Sequence, residues 1–171
     1  IKVSNQQIQT APSDAKPAKL PDTYNSDPYG VMNTENPDLY LAVKVGVQWG
    51  VVGKSDTVYT NVAAVNGILN ESNYAPGLMG SHVESVPGSD ELSLYTLYYN
   101  PTEGFLSDGC ETLRDMLGFT TPVTKQFSTV LSDVQAGDHA VNWVAHSQGG
   151  AIFAEAVNFN GGDLSKNSVV F

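Results

Sequence analysis

The stretch AVNWVAHSQGGAIFAEAV, residues 140–157, indicates the fold more clearly than any other part of the chain. Its apolar run stops abruptly at the small and polar residues HSQGG, and an apolar pattern with helical spacing follows. A strand that turns sharply into a helix, with a serine at the bend, is typical of a nucleophile elbow. The residues two before and two after the serine must be small, and here they are Ala145 and Gly149. The pattern therefore predicts Ser147 as a nucleophile that projects from a strained turn.

The neighbours of Ser147 have a supporting role in this interpretation. Ala145, Gly149 and Gly150 are small enough to let the strand and the helix approach closely. His146 adjoins the serine, but its side chain leaves the turn in a different direction. We therefore expect His146 to pack or to form hydrogen bonds around the elbow.

Composition limits the classes of function. The chain has 171 residues and a mass of 18.2 kDa, and 41% of its residues are hydrophobic, which suits one domain with a real core. Its formal net charge of −10 argues against nucleic acid and against anionic membrane surfaces as partners. The single cysteine, Cys110, excludes an internal disulfide. The sequence shows no signal peptide and no stretch of transmembrane length, and the compartment stays open.

The chain divides into two parts at about residue 38. Residues 1–38 contain five prolines among polar residues, which predicts an extended arm or linker. Residues 39–171 are predicted to form the N-terminal portion of an α/β domain. Its first segment, LYLAVKVGVQWGVVG, alternates apolar and polar residues and predicts a bent strand, or a hairpin with a turn at 53–56.

Strands and helices alternate along the rest of this domain. We expect strands over 57–65, 92–99 and 168–171, besides the strand before the elbow. We expect helices within 71–86 and 105–117, from Pro122 to Gly137, and after the elbow as far as Gly161. Such alternation predicts right-handed crossovers and a mainly parallel sheet that is covered on both faces.

The predicted topology brings several segments to one edge of the sheet. In a parallel sheet, ligands bind at the carboxyl ends of the strands, where Ser147 and the segments 66–70 and 100–103 are expected. An attacking serine needs donors for the developing oxyanion. One is predicted to be the backbone N–H of Gln148, and the second that of Ile68 or Leu69. Asn66 and Gly67 would support this loop, although an Asn-Gly pair is also an ordinary turn.

Three stretches carry a resemblance to a known family. These are VAAVNGILNE (62–71), YYNPTEGFLSD (98–108) and VNWVAHSQGG (141–150). They resemble the serine α/β-hydrolase superfamily, and more closely the lipase- or esterase-like domains of bacterial secreted, effector and phage-related proteins. The resemblance implies an α/β-hydrolase-like fold, Ser147 as the nucleophile, and an ester or other acyl substrate. It implies no metal and no cofactor, and it is compatible with a secreted, effector or virion-associated protein.

The catalytic base is harder to assign. In this superfamily the acid and the histidine follow the serine along the chain. His139 precedes the elbow strand, so it is expected at the opposite edge of the sheet from Ser147. His82 is expected on a helix that returns to that same opposite edge. Neither histidine is therefore predicted to reach the serine, and His146 is expected to support the turn.

The carboxylates give no better candidate for the acid. Asp163 is expected at the far edge, and Glu71 and Glu103 precede the serine in the chain. The 24 residues after Ser147 have room for one helix and one strand.

Three explanations of the missing acid and base stay open. The acid and base belong to further residues of a longer hydrolase or to a second chain, a partner subunit supplies the base, or the domain is a non-catalytic structural or assembly module. The favoured function is a serine hydrolase that cleaves an ester or other acyl bond through an acyl-enzyme.

Overall fold

One mixed sheet with three helices makes up the part of the chain that the structure describes. The computed structural model describes residues 32, 36–67, 74–87, 89, 92–101 and 122–171. The elements within these ranges are β1 (Asp38–Val45), β2 (Gln48–Lys54), β3 (Val62–Val65), α1 (Ala75–Glu84), β4 (Leu94–Tyr99), α2 (Pro122–Ala136), β5 (Val141–Ala145), α3 (Gln148–Asn160) and β6 (Asn167–Val170). The arm predicted for 1–38, apart from Met32 and residues 36–38, and the helix predicted for 105–117 lie outside them.

The strand order in the sheet is β2-β1-β4-β3-β5-β6. β3 pairs in parallel with β4 and β5, and β5 pairs in parallel with β6. β1 lies between β2 and β4 and runs antiparallel to both. The prediction of an α/β fold is confirmed, whereas the prediction of a mainly parallel sheet was wrong, because β1 and β2 form a hairpin at one side of the sheet.

The turn of this hairpin differs from the predicted one. The prediction allowed a turn at 53–56, but the chain reverses at Gly46 and Val47, directly after β1. Gly46 has a φ of +63°, which glycine adopts without the steric cost that a Cβ imposes. The alternating pattern hid this turn because Val45 and Val47 continue it into the exposed tip, where they are 65% and 90% exposed.

Helices cover both faces of the sheet, as predicted. On one face, α1 buries Met79 and Val83 against alternate side chains of the central strands. On the other face, α2 and α3 bury Phe127 and Phe153 around Trp143 of β5, and the three rings meet edge to face or nearly so. Aromatic packing of this kind holds α3 in place, and α3 begins directly after the predicted nucleophile.

The predicted helix boundaries are mostly confirmed. Pro76 lies in the first turn of α1, and Pro122 is the first residue of α2, where a missing N–H is tolerated. Gly161 follows the last residue of α3 as its C-cap; it has a φ of +63° and donates its N–H to the carbonyl of Val157. None of the helices in the described ranges is long and apolar enough to cross a membrane.

Candidate active site

The carboxyl ends of three neighbouring strands meet at one edge of the sheet. Val65 at the end of β3 is in register with Ala145 of β5 on one side and with Tyr98 of β4 on the other. The segments that leave these strands are residues 66–67, 100–101 and 146–147. The edge predicted for ligand binding therefore brings the described parts of these three segments together.

Ser147 occupies a strained backbone conformation between β5 and α3. Its φ of 56° and ψ of −123° lie in a region that L-residues rarely enter. Among the described residues it is the one non-glycine with positive φ, and its side chain is exposed. Holding a residue there costs about 1–3 kcal/mol, which the packing of the strand and helix on either side must offset. The conformation projects the side chain from the turn.

Gly149 lets the first turn of α3 pack directly on the end of β3. A Cβ at this position would overlap the carbonyl oxygen of Val65 and would lie 3.0 Å from that of Asn66. The N–H of Gly149 also donates to the carbonyl of His146 at 2.9 Å. Residue 149 must therefore be glycine if β3 and α3 are to keep this distance.

Gly67 makes the corresponding approach from the loop after β3. A Cβ at residue 67 would lie 2.9 Å from the Cβ of Ser147 and 2.9 Å from the carbonyl oxygen of His146. Real Cβ atoms do not come so close to such neighbours. The backbone of this loop thus lies directly beside the serine.

The remaining elbow residues pack on either side of the turn. Ala145 is 3% exposed and belongs to the core under α2 and α3. Gly150 lies against the ring of Phe171, since a Cβ there would come within 3.0 Å of that ring. His146 is exposed, and its N–H donates to the carbonyl of Val65 at 3.3 Å.

One of the two predicted oxyanion donors falls within the described residues. Gln148 is the first residue of α3, and its N–H makes no hydrogen bond with the part of the chain that the structure describes. An unpaired N–H at a helix N-terminus favours negative charge, because the helix dipole adds to the donor. Ile68 and Leu69 lie outside the described residues. Gly67, the residue before Ile68, lies directly beside Ser147.

Asn66 joins the loop after β3 to the loop after β4. Its side chain is fully buried; Oδ1 accepts the N–H of Asn100 at 2.6 Å, and Nδ2 donates to the carbonyl of Asn100 at 3.0 Å. Nδ2 also lies 3.0 Å from the carbonyl of Gly67. Asn66 therefore holds the loop beside the serine through buried amide hydrogen bonds, which are expensive to leave unmade.

His82 lies next to the elbow, and the prediction that placed it at the opposite edge was wrong. Its ring stacks on that of His146, with centroids 4.3 Å apart and an interplanar angle of 23°. Burial, and to a lesser extent the charge of His146, lowers the pKa of His82. Its Nε2 is buried and has no hydrogen-bond partner in the described chain. The prediction failed because periodicity locates a helix along the chain but does not show which part of the sheet it covers.

The other candidate acids and bases do not approach the serine. His139 contacts Asp138 at 3.0 Å and precedes β5, so it lies at the edge opposite Ser147. Asp163 precedes β6, where it accepts the N–H of Ser165 at 3.0 Å. Glu71 and Glu103 lie outside the described residues. The described residues also hold no group of three or more potential metal ligands.

Two residues at this edge were given no role from the sequence. Asn100 follows β4 as Asn66 follows β3, but it contacts Asn66 through its backbone N–H and carbonyl, so its side chain gave no signal of this role. His82 gave no signal either, because its role depends on where α1 packs. The edge thus offers a strained exposed serine, an N–H with no partner in the described part of the chain, the loop that contains Gly67, and two stacked histidines.

Comparisons with models of protein families, with curated proteins and with solved structures gave no match to this chain.

Proposed function

We propose that this protein is a serine hydrolase of the esterase or lipase type, with an α/β-hydrolase-like fold. The backbone conformation of Ser147 is the observation that carries the proposal. A φ of 56° is unfavourable for serine, and it leaves the side chain exposed at the carboxyl edge of parallel strands. A structural turn at this place has no need of such a residue, because glycine adopts the same conformation without strain. A nucleophile needs both the hydroxyl and the strained position.

The surroundings of Ser147 support an acyl-transfer reaction. In the proposed step, Ser147 Oγ attacks the acyl carbon and loses its proton to a base, and the bond from that carbon to the leaving oxygen then breaks. The base returns this proton to the leaving oxygen, which departs as the alcohol, and water then releases the acid from the acyl-enzyme. The N–H of Gln148, at the start of α3, is the first donor to the oxyanion. The second donor is assigned to Ile68 or Leu69, which follow the glycine beside the serine.

The proposal assigns the nucleophile and not the base. Within the described residues, Ser147 Oγ makes no hydrogen bond to a histidine or a carboxylate, and the two histidines at the elbow stack on each other. This observation favours a second candidate function, a hydrolase-like structural or assembly module without catalysis. The two functions differ in whether Ser147 reacts with an acylating reagent.

A fluorophosphonate probe distinguishes the two functions. The intact protein is incubated with the probe, and the labelled residue is identified by peptide mass spectrometry. We expect labelling at Ser147, none in Ser147→Ala, and normal labelling in Ser81→Ala, which removes an exposed hydroxyl from α1. A folded wild-type protein that stays unlabelled, or a Ser147→Ala variant that is still labelled, would contradict the enzyme.

A further inference from the structure

The stacked ring of His82 lies on α1, a helix that packs on the sheet through buried side chains. On either side of it in the sequence, Val83 is fully buried and Ser81 is exposed, so α1 presents a fixed face to the sheet. The helix end is fixed by Ser89, whose buried hydroxyl lies 2.7 Å from the carbonyl of Val83 and 2.5 Å from that of Val86. The ring of His82, which contacts His146, is therefore carried by a helix that is packed on the sheet.

His146, the partner in the stack, is the residue that links β5 to the strained turn. Its N–H and carbonyl are both engaged, with Val65 and Gly149 respectively. The side chain of His146 is exposed, so its contact with the ring of His82 restrains the orientation of the His146 ring. A change in the position of His146 is passed directly to Ser147, because the two residues share a peptide bond.

The chemistry of His82 suits a packing role better than a proton-transfer role. Its Nε2 makes no hydrogen bond with the described chain, and its ring faces that of His146 rather than sharing a proton with it. Burial lowers its pKa, so the ring is neutral at neutral pH and stacks without repulsion between two charges. His82 therefore contributes the flat face of its ring, on which the ring of His146 stacks.

We propose that His82 is a positioning residue for Ser147, which it holds in its reactive conformation by stacking on His146. This inference rests on the proposed function, since the reactivity of Ser147 is the property that His82 would support. It also connects α1, on one face of the sheet, to a reaction at the sheet edge.

The test compares variants that keep or remove the flat ring. The rate of fluorophosphonate labelling at Ser147 is measured for the wild type, His82→Phe, His82→Leu and His82→Ala, with Ser81→Ala as the control on the same helix. His82→Phe keeps a ring that can stack, and His82→Leu fills the space without one. We expect the Ala and Leu variants to react about tenfold or more slowly, and Phe to stay within about threefold of the wild type. Circular dichroism establishes that each variant is folded.

Each outcome decides the proposal. Equal rates in all variants would show that the stack does not position the serine. A Phe variant as slow as the Ala variant would show that the imidazole acts chemically, which also overturns a packing role. Failure of the proposed function is recognised separately, because the wild-type protein itself then stays unlabelled. In that case the positioning role of His82 is overturned as well. An NOE between the ring protons of His82 and His146 tests the stack itself without any reaction.

Discussion

Replacing Gly149 by alanine tests the close packing that keeps Ser147 strained. The new Cβ would overlap the carbonyl oxygen of Val65 and lie 3.0 Å from the carbonyl oxygen of Asn66. Both are backbone atoms at the end of β3, and the carbonyl of Val65 also accepts the N–H of His146. Neither atom can turn away as a flexible side chain would. The first turn of α3 must therefore move off the strand.

The magnitude follows from two opposing effects. Forcing a methyl group into a packed site costs up to about 3 kcal/mol, and the direct collision with a backbone oxygen favours the upper end of that range. Alanine gains back up to about 1 kcal/mol over glycine in a helix. We therefore expect Gly149→Ala to lower the free energy of unfolding by about 2 kcal/mol.

Gly77→Ala is the matched control for this substitution. Gly77 also lies in the first turn of a helix, but an added Cβ there has nothing within 4 Å. It should stabilise the protein by about 0.5–1 kcal/mol. Urea unfolding, followed by the fluorescence of Trp49 and Trp143, gives both values. A Gly149→Ala variant as stable as the wild type would refute the account of the elbow.

Three further predictions concern the same edge of the sheet. Asn66→Ala leaves the buried N–H and carbonyl of Asn100 without their side-chain partner. Urea unfolding should therefore show that the free energy of unfolding falls by at least about 2 kcal/mol, and a fall below about 0.5 kcal/mol would contradict that role. Gly67→Ala brings a Cβ against Ser147, so fluorophosphonate labelling should slow by about tenfold or more, and an unchanged rate would contradict the close approach. Folding lowers the pKa of His82, so as the pH falls His82 is protonated in the unfolded chain before it is protonated in the folded one. Below the ordinary histidine pKa of about 6.5, the wild type should therefore lose stability more steeply than His82→Phe. Equal slopes of melting temperature against pH between 7.5 and 5 would contradict that shift.

The elbow was predictable because several local signals agree there. The strand, the small residues and the helix each have their own pattern over residues 140–157, and the structure has β5, the turn and α3 in these places. The requirement for glycine at 149 and 67 also follows from local chemistry, since a turn that brings two backbones together excludes a Cβ. Such features depend on residues that are close in sequence.

The features that were missed depend on how distant elements pack. The antiparallel pairing of β1 with β4 joins residues far apart in the sequence, and no alternation of apolar residues specifies the neighbour of a strand. The position of His82 beside His146 likewise depends on where α1 lies on the sheet. The role of Asn100 rests on its backbone N–H and carbonyl, which every residue except proline carries. Its side chain therefore gave no signal of its role.

Trapping of an acyl-enzyme tests the central claim most directly. The intact protein is mixed with p-nitrophenyl acetate, quenched in acid within the first turnover, and digested for peptide mass spectrometry. The acyl-enzyme mechanism predicts a burst of p-nitrophenol and an acetyl group on Ser147, with neither in Ser147→Ala. A folded protein without a burst, or an acetyl group on another residue that persists in Ser147→Ala, would contradict it.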